Sequence, residues 1–128
     1  MTPERRKLKR AQLIQRIRTV ERMQSALAAN EAEATRTRLL GVAERTRSLA
    51  AHYAHREGDM VGADLRSGKA MRDQLQKLTE LSAKQAEEAD AQSQARREVL
   101  AQSDMRLRKA EESTRDLVRT IVAGLEKG

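Results

Sequence analysis

The second half of the chain carries a ladder of small and apolar residues in steps of three and four: Met71, Leu75, Leu78, Ser82, Ala86, Ala89, Ser93, Arg96, Leu100, Ser103, Leu107, Ala110, Thr114, Leu117 and Ile121. Such spacing, sustained over fourteen turns or so at 3.6 residues per turn, belongs to a long helix that lies along another helix. The step from Ser82 to Ala86 repeats a four where a three is due, a stutter that locally unwinds a left-handed supercoil.

A layered enzyme fold is hard to build from the rest. Only 1% of the 128 residues are aromatic and 38% are hydrophobic, which leaves little to fill a globular core. Charged residues make up 35%, the composition of solvated helices with a narrow apolar seam. A mean hydropathy of −0.78 and a net charge of +7 also suit a disordered chain, but disorder gives no reason for Leu to recur at helical spacing. The chain has no cysteine, which excludes disulfides, thiolate zinc sites and a cysteine nucleophile. No apolar run reaches the ~18 residues that read as a membrane span, and the start lacks the apolar core of a secretory signal. The Arg-rich start has some likeness to an organelle transit peptide, but Glu4, Glu21 and the helical pattern beyond argue against one. The expected location is cytoplasmic, with peripheral association at a membrane left open.

Thr2 as N-cap, Pro3 as first helical residue and Glu4 in the first turn predict a helix that starts at once. Leu8, Leu13, Ile17, Val20 and Leu27 predict its apolar stripe, continued more loosely by Ala28, Ala32, Leu39, Val42, Leu49 and Tyr53. Gly41 interrupts that pattern at a cost of ~1 kcal/mol relative to Ala. Gly58, Gly62 and Gly68 cluster between Glu57 and Lys69, and the pairs Gly58-Asp59 and Ser67-Gly68 are turn formers. The expected architecture is all-α: a single long antiparallel two-helix coiled-coil hairpin, with helices over about 3–57 and 70–126 and a turn over about 58–69. In that register Leu100, Leu107, Leu117, Ile121 and Leu125 would face Leu8, Leu13, Ile17 and Val20, making the chain ends the firmest part.

The residues offer little chemistry. His52 and His55 sit three apart and could be joined by Glu57 or Asp59, but a zinc site needs three or four convergent ligands in a prepared shell, so two exposed histidines near a turn are expected instead. No phosphate-binding or dinucleotide motif is present, and a two-helix hairpin encloses no cleft in which a carboxylate could be tuned for acid-base work. No catalytic residue, metal, cofactor or small-molecule substrate is expected, and the protein reads as a non-enzyme.

Charge is the strongest functional signal. Residues 1–22 hold eight basic and two acidic side chains, including Arg5, Arg6, Lys7, Lys9, Arg10, Arg16, Arg18 and Arg22. A nucleic-acid grip, a dock for an acidic protein or anionic membrane, and a solvated face all fit. Sequence-specific DNA reading fits poorly, because no Asn is placed to pair with adenine and the seam begins inside the basic run. A second cluster near the turn holds Ala50, Ala51, Tyr53, Ala54, Met60, Val61 and Leu65. It reads either as the plug of the hairpin or as a contact surface, and Tyr53, the one aromatic residue, favours contact.

With its basic start leading into Leu13, Ile17 and Val20, its single Gly-containing reversal, and the run Arg106-Leu107-Arg108-Lys109-Ala110-Glu111-Glu112, the chain resembles the small coiled-coil stalk proteins of flagellar and virulence type III export, the FliJ and YscO family. The likeness covers nearly the whole chain and consists of length, charge and hairpin layout. It implies a stalk that binds a hexameric export ATPase with its terminal half, mapped here to Arg5, Arg6, Arg10, Arg16, Arg18, Leu107, Leu117 and Ile121. It further implies that the turn end meets an export-gate protein of the inner membrane, mapped to Tyr53, Met60 and Leu65. The rival expectations are a basic binder of nucleic acid or anionic membrane, and a generic structural coiled coil.

Overall fold

The computed structural model describes residues 2–57 and 63–127, without the side chains of 57 and 63–65. It is an all-α antiparallel two-helix hairpin, with α1 spanning Pro3–Glu57 and α2 spanning Ala63–Lys127. The start of α1 follows its sequence: the Arg5 amide donates to Thr2 Oγ1 at 3.3 Å and the Arg6 amide to the Thr2 carbonyl at 3.1 Å. These bonds satisfy two of the donors that a helix N-terminus leaves unpaired.

Helix α2 begins earlier than the glycines suggest. Residues 63–69, expected in the turn, are already helical, and Gly68 is buried within α2. A glycine inside a helix loses only ~1 kcal/mol to Ala, which a helix of 65 residues absorbs. Gly68 also stands seven residues before Leu75, so it occupies the seam line rather than breaking it. Gly41 likewise leaves α1 continuous.

The chain divides into a terminal unit, Met1–Asn30 with Ala95–Gly128, and an inner unit, Glu31–Gln94. In the terminal unit the buried positions are Ala11, Ala29, Ser103 and Ala110, with Leu8, Gln15, Arg18, Ser25, Leu100, Leu107, Leu117 and Ile121 half-buried around them. Ser25 Oγ and Ser103 Oγ share a hydrogen bond of 2.8 Å, and Arg22 Nε donates to Asp104 Oδ1 at 3.2 Å. Both pairs have sequence numbers that rise on one helix as they fall on the other, the mark of antiparallel packing.

This overturns the expected α1 stripe. Leu13, Ile17, Val20 and Leu27 are 50%, 57%, 52% and 64% exposed, and Leu125 does not close the end either, at 68%. The seam instead uses the ladder Leu8, Ala11, Gln15, Arg18, Arg22, Ser25 and Ala29. Small residues on both helices let the backbones approach closely, and this rotation of α1 brings Ser25 to Ser103 and Arg22 to Asp104, which also pairs with Arg108 of its own helix. The terminal unit is therefore held by small and polar contacts together with the half-buried Leu8, Leu100, Leu107, Leu117 and Ile121, without Leu13, Ile17, Val20 or Leu125.

In the inner unit Leu75, Ala86, Ala89, Thr46, Ser82 and Ser93 are buried. Two of the three buried hydroxyls are satisfied within their own helix: Thr46 donates to the Val42 carbonyl and Ser82 to the Leu78 carbonyl, at 2.8 and 2.7 Å. Burial of both Ser82 and Ala86 matches the four-residue step in the ladder. Met71 and Leu78, also on that ladder, are 44% and 47% exposed.

Candidate functional site

The terminal unit concentrates the features that a partner could read. It holds sixteen basic and eight acidic residues, against ten basic and eleven acidic in the inner unit. The excess of positive charge over the whole chain thus resides there. Arg5, Arg6, Arg10 and Arg16 are exposed on α1, whereas Arg18 is half-buried and its Nη1 donates to Glu21 Oε2 at 2.9 Å. Arg18 is therefore engaged by its own helix, while the other four present their charge to solvent.

Leu107, Leu117 and Ile121 lie half-buried on the seam side of α2. Beside them an open groove runs along one side of the unit, lined by Lys7, Arg10, Ile14, Lys109, Asp116 and Leu117 among others. Its walls mix cationic stems with aliphatic surface, a lining suited to a polypeptide side chain rather than to enclosing a small molecule.

Uncovered apolar surface is the feature that sequence reasoning placed inside. Leu13, Ile17, Val20 and Leu27, expected inside, range from 50% to 64% exposed along α1, and Met23, which is not on the expected stripe, is 58% exposed. The signal that could have revealed this was the competing ladder through Ala11, Gln15, Arg18, Arg22, Ser25 and Ala29, which keeps strict three-four spacing but contains too few large residues to draw attention.

The inner unit holds a polar cluster that sequence reasoning also passed over. Arg36 Nε donates to Asp90 Oδ1 at 2.7 Å and Arg36 Nη1 to Glu33 Oε1 at 3.1 Å. Ser93, fully enclosed, donates through Oγ to Glu33 Oε2 at 2.8 Å. The hydrogen bond to Asp90, and then the negative charge of Glu33, raise the Arg36 pKa above its ordinary value, so its charge is secure. A cross-helix cluster of this kind fixes the register of a seam that has few bulky side chains to do so.

Nearer the turn, Tyr53 is half-buried, and His52 and His55 are exposed. Met60 lies outside the described residues, as does the side chain of Leu65, so of the expected turn-side surface only Tyr53 is placed. Asp59, invoked as a metal partner for the histidines, also lies outside them. Among the described residues no group of three or more His, Asp or Glu side chains could hold a metal ion, and no helix is long and apolar enough to cross a membrane.

No protein-family model, curated protein or solved structure matches this chain. The residues and their geometry therefore carry the functional reading by themselves.

Proposed function

We propose that the protein is a non-enzymatic coiled-coil stalk or adaptor of the bacterial flagellar, type III protein export apparatus, working at the cytoplasmic side of the inner membrane. In this reading the basic terminal unit docks on the hexameric export ATPase and the turn end meets the export gate. The observation that carries it is the coincidence, in one unit of a two-helix hairpin, of the chain's excess positive charge with large uncovered aliphatic side chains. Positive charge steers the unit toward an acid-lined site, and aliphatic surface supplies the contact once it arrives.

Arg5, Arg6, Arg10 and Arg16 serve as the electrostatic contacts of the docking end. Arg18, Leu107, Leu117 and Ile121 keep that end folded, and Tyr53, Met60 and Leu65 are assigned to the gate.

Purified chain is expected to capture the export ATPase at low salt and to stimulate its ATP hydrolysis. Replacement of Arg5, Arg6 and Arg10 by Glu should abolish both effects while leaving helicity unchanged. Absence of capture at low salt by the unaltered chain would remove the proposal.

A second reading draws on the same exposed cations beside aliphatic surface: a foot for anionic membranes or nucleic acid. It predicts affinity for anionic vesicles or mixed-sequence DNA that falls steeply with salt, with no dependence on the ATPase.

A further inference from the structure

The uncovered side chains of α1 form an ordered pattern. Leu13, Val20 and Leu27 are seven residues apart, so they keep to one line along the helix. At 100° per residue that line is turned away from Ala11, Arg18 and Ser25, which face the seam. Ile17 and Met23 flank it, one three residues before Val20 and the other three after. The set is therefore symmetric about Val20, with large aliphatic side chains three and seven residues away on either side.

A closed two-fold contact requires a patch that is its own complement. A two-fold axis beside Val20 sets Leu13 of one copy beside Leu27 of the second copy and Val20 beside Val20, with Ile17 of both copies along one edge of the contact and Met23 of both along the other. We propose that this face of α1 is an isologous interface, and that its occupant is a second copy of the chain laid antiparallel across it. The inference goes beyond the stalk reading and does not rest on it; it gives the aliphatic face of α1 to a second copy, so a dimer has to part before that face can meet the ATPase.

Charge selects the direction. Arg5, Arg6, Lys7, Lys9 and Arg10 all precede the stripe, so a parallel pair would stack two such clusters side by side. An antiparallel pair puts them at opposite ends, roughly 35–40 Å apart at 1.5 Å per residue, several screening lengths at physiological salt. The area is also appropriate. Five aliphatic side chains at least half exposed leave on the order of 400 Å² uncovered, at the upper end of what a lone soluble protein tolerates in one patch. Counted on both copies with a polar rim, the buried total comes to on the order of 1,000 Å², which places the dimer among weak, reversible associations.

The test is sedimentation of the full chain from about 1 to 500 μM at physiological salt. A reversible monomer–dimer equilibrium with a dissociation constant of micromolar order is expected. Val20→Glu, which brings two carboxylates together at the axis, should weaken dimerisation at least tenfold with helicity unchanged. Because the chain has no cysteine, Val20→Cys gives an independent readout: it should oxidise to a disulfide-linked dimer much faster than Gln102→Cys, an exposed position on α2. A chain that stays monomeric at 500 μM, a dimer indifferent to Val20→Glu, or equal oxidation at 20 and 102 would overturn the proposal. Monomeric chain that binds phosphatidylglycerol vesicles through Val20 would overturn it too, by giving the face to a lipid surface.

Discussion

Ser25 and Ser103, separated by 78 positions in the chain, share a hydrogen bond of 2.8 Å between their hydroxyl oxygens. The pair marks the register of the terminal unit. Since the chain lacks cysteine, the double replacement Ser25→Cys with Ser103→Cys should close an intramolecular disulfide on mild oxidation, a bond whose Cβ atoms stand about 3.8 Å apart. A non-reducing gel should show a monomer of altered mobility. Purely intermolecular disulfides would contradict the hairpin.

The two faces of α1 should respond oppositely to substitution. At concentrations where the chain is monomeric, Leu27→Ser touches an outward side chain and is expected to change stability by less than about 0.5 kcal/mol. Ala29→Leu forces bulk into a buried seam position, 5% exposed, and should cost about 1–3 kcal/mol. Thermal unfolding followed by circular dichroism ranks the two, and the reverse order would restore the leucine seam.

Ser93 offers a graded test of the inner unit. Ser93→Ala removes the donor to Glu33 Oε2, but Glu33 is 47% exposed at its side chain and can turn to water, so the loss should stay near 0.5–1.5 kcal/mol. Ser93→Leu, at a position with no exposure, should cost about 1–3 kcal/mol through overpacking. Urea midpoints at constant slope would measure both.

Gly41 and Gly124 lie inside helices with nothing within 4 Å of where a Cβ would stand. Replacing either by Ala should raise stability by up to about 1 kcal/mol through the lower entropy cost of ordering the backbone. A lowered unfolding temperature in Gly41→Ala would mean that the helix bends there for a reason the packing does not reveal.

Much of α2 was legible because its seam follows a simple rule. Small or apolar residues recur at three and four, and Leu75, Ser82, Ala86, Ala89, Ser93, Ser103 and Ala110 are buried as that rule requires. Helix α1 misled because two stripes share its first half. The one with Leu13, Ile17, Val20 and Leu27 has the larger transfer free energy, but the one with Ala11, Ser25 and Ala29 fits the close approach that Ser103 and Ala110 allow and supplies Arg22 for Asp104. Hydropathy ranks side chains by how much they gain on burial and is blind to whether the opposing helix leaves room. Gly68 misled in the same sense, since local turn chemistry outweighed its place on the seam line. The charge of the terminal unit is readable directly, as residues 1–22 announce it, whereas its uncovered aliphatic stripe depends on a rotation that composition does not specify.

A seam built from alanine and serine also sets how the fold answers to temperature. Heat-capacity change on unfolding tracks the apolar area newly hydrated, less an opposing contribution from polar area. With Ala11, Ala29, Ala86, Ala89, Ala110, Thr46, Ser82, Ser93 and Ser103 buried beside one leucine, Leu75, the hairpin should unfold with a smaller increment than the ~12–15 cal/mol/K per residue usual for globular proteins. Its stability curve is accordingly shallow, so that modest stabilisation persists over a wide thermal range and little is forfeited on cooling.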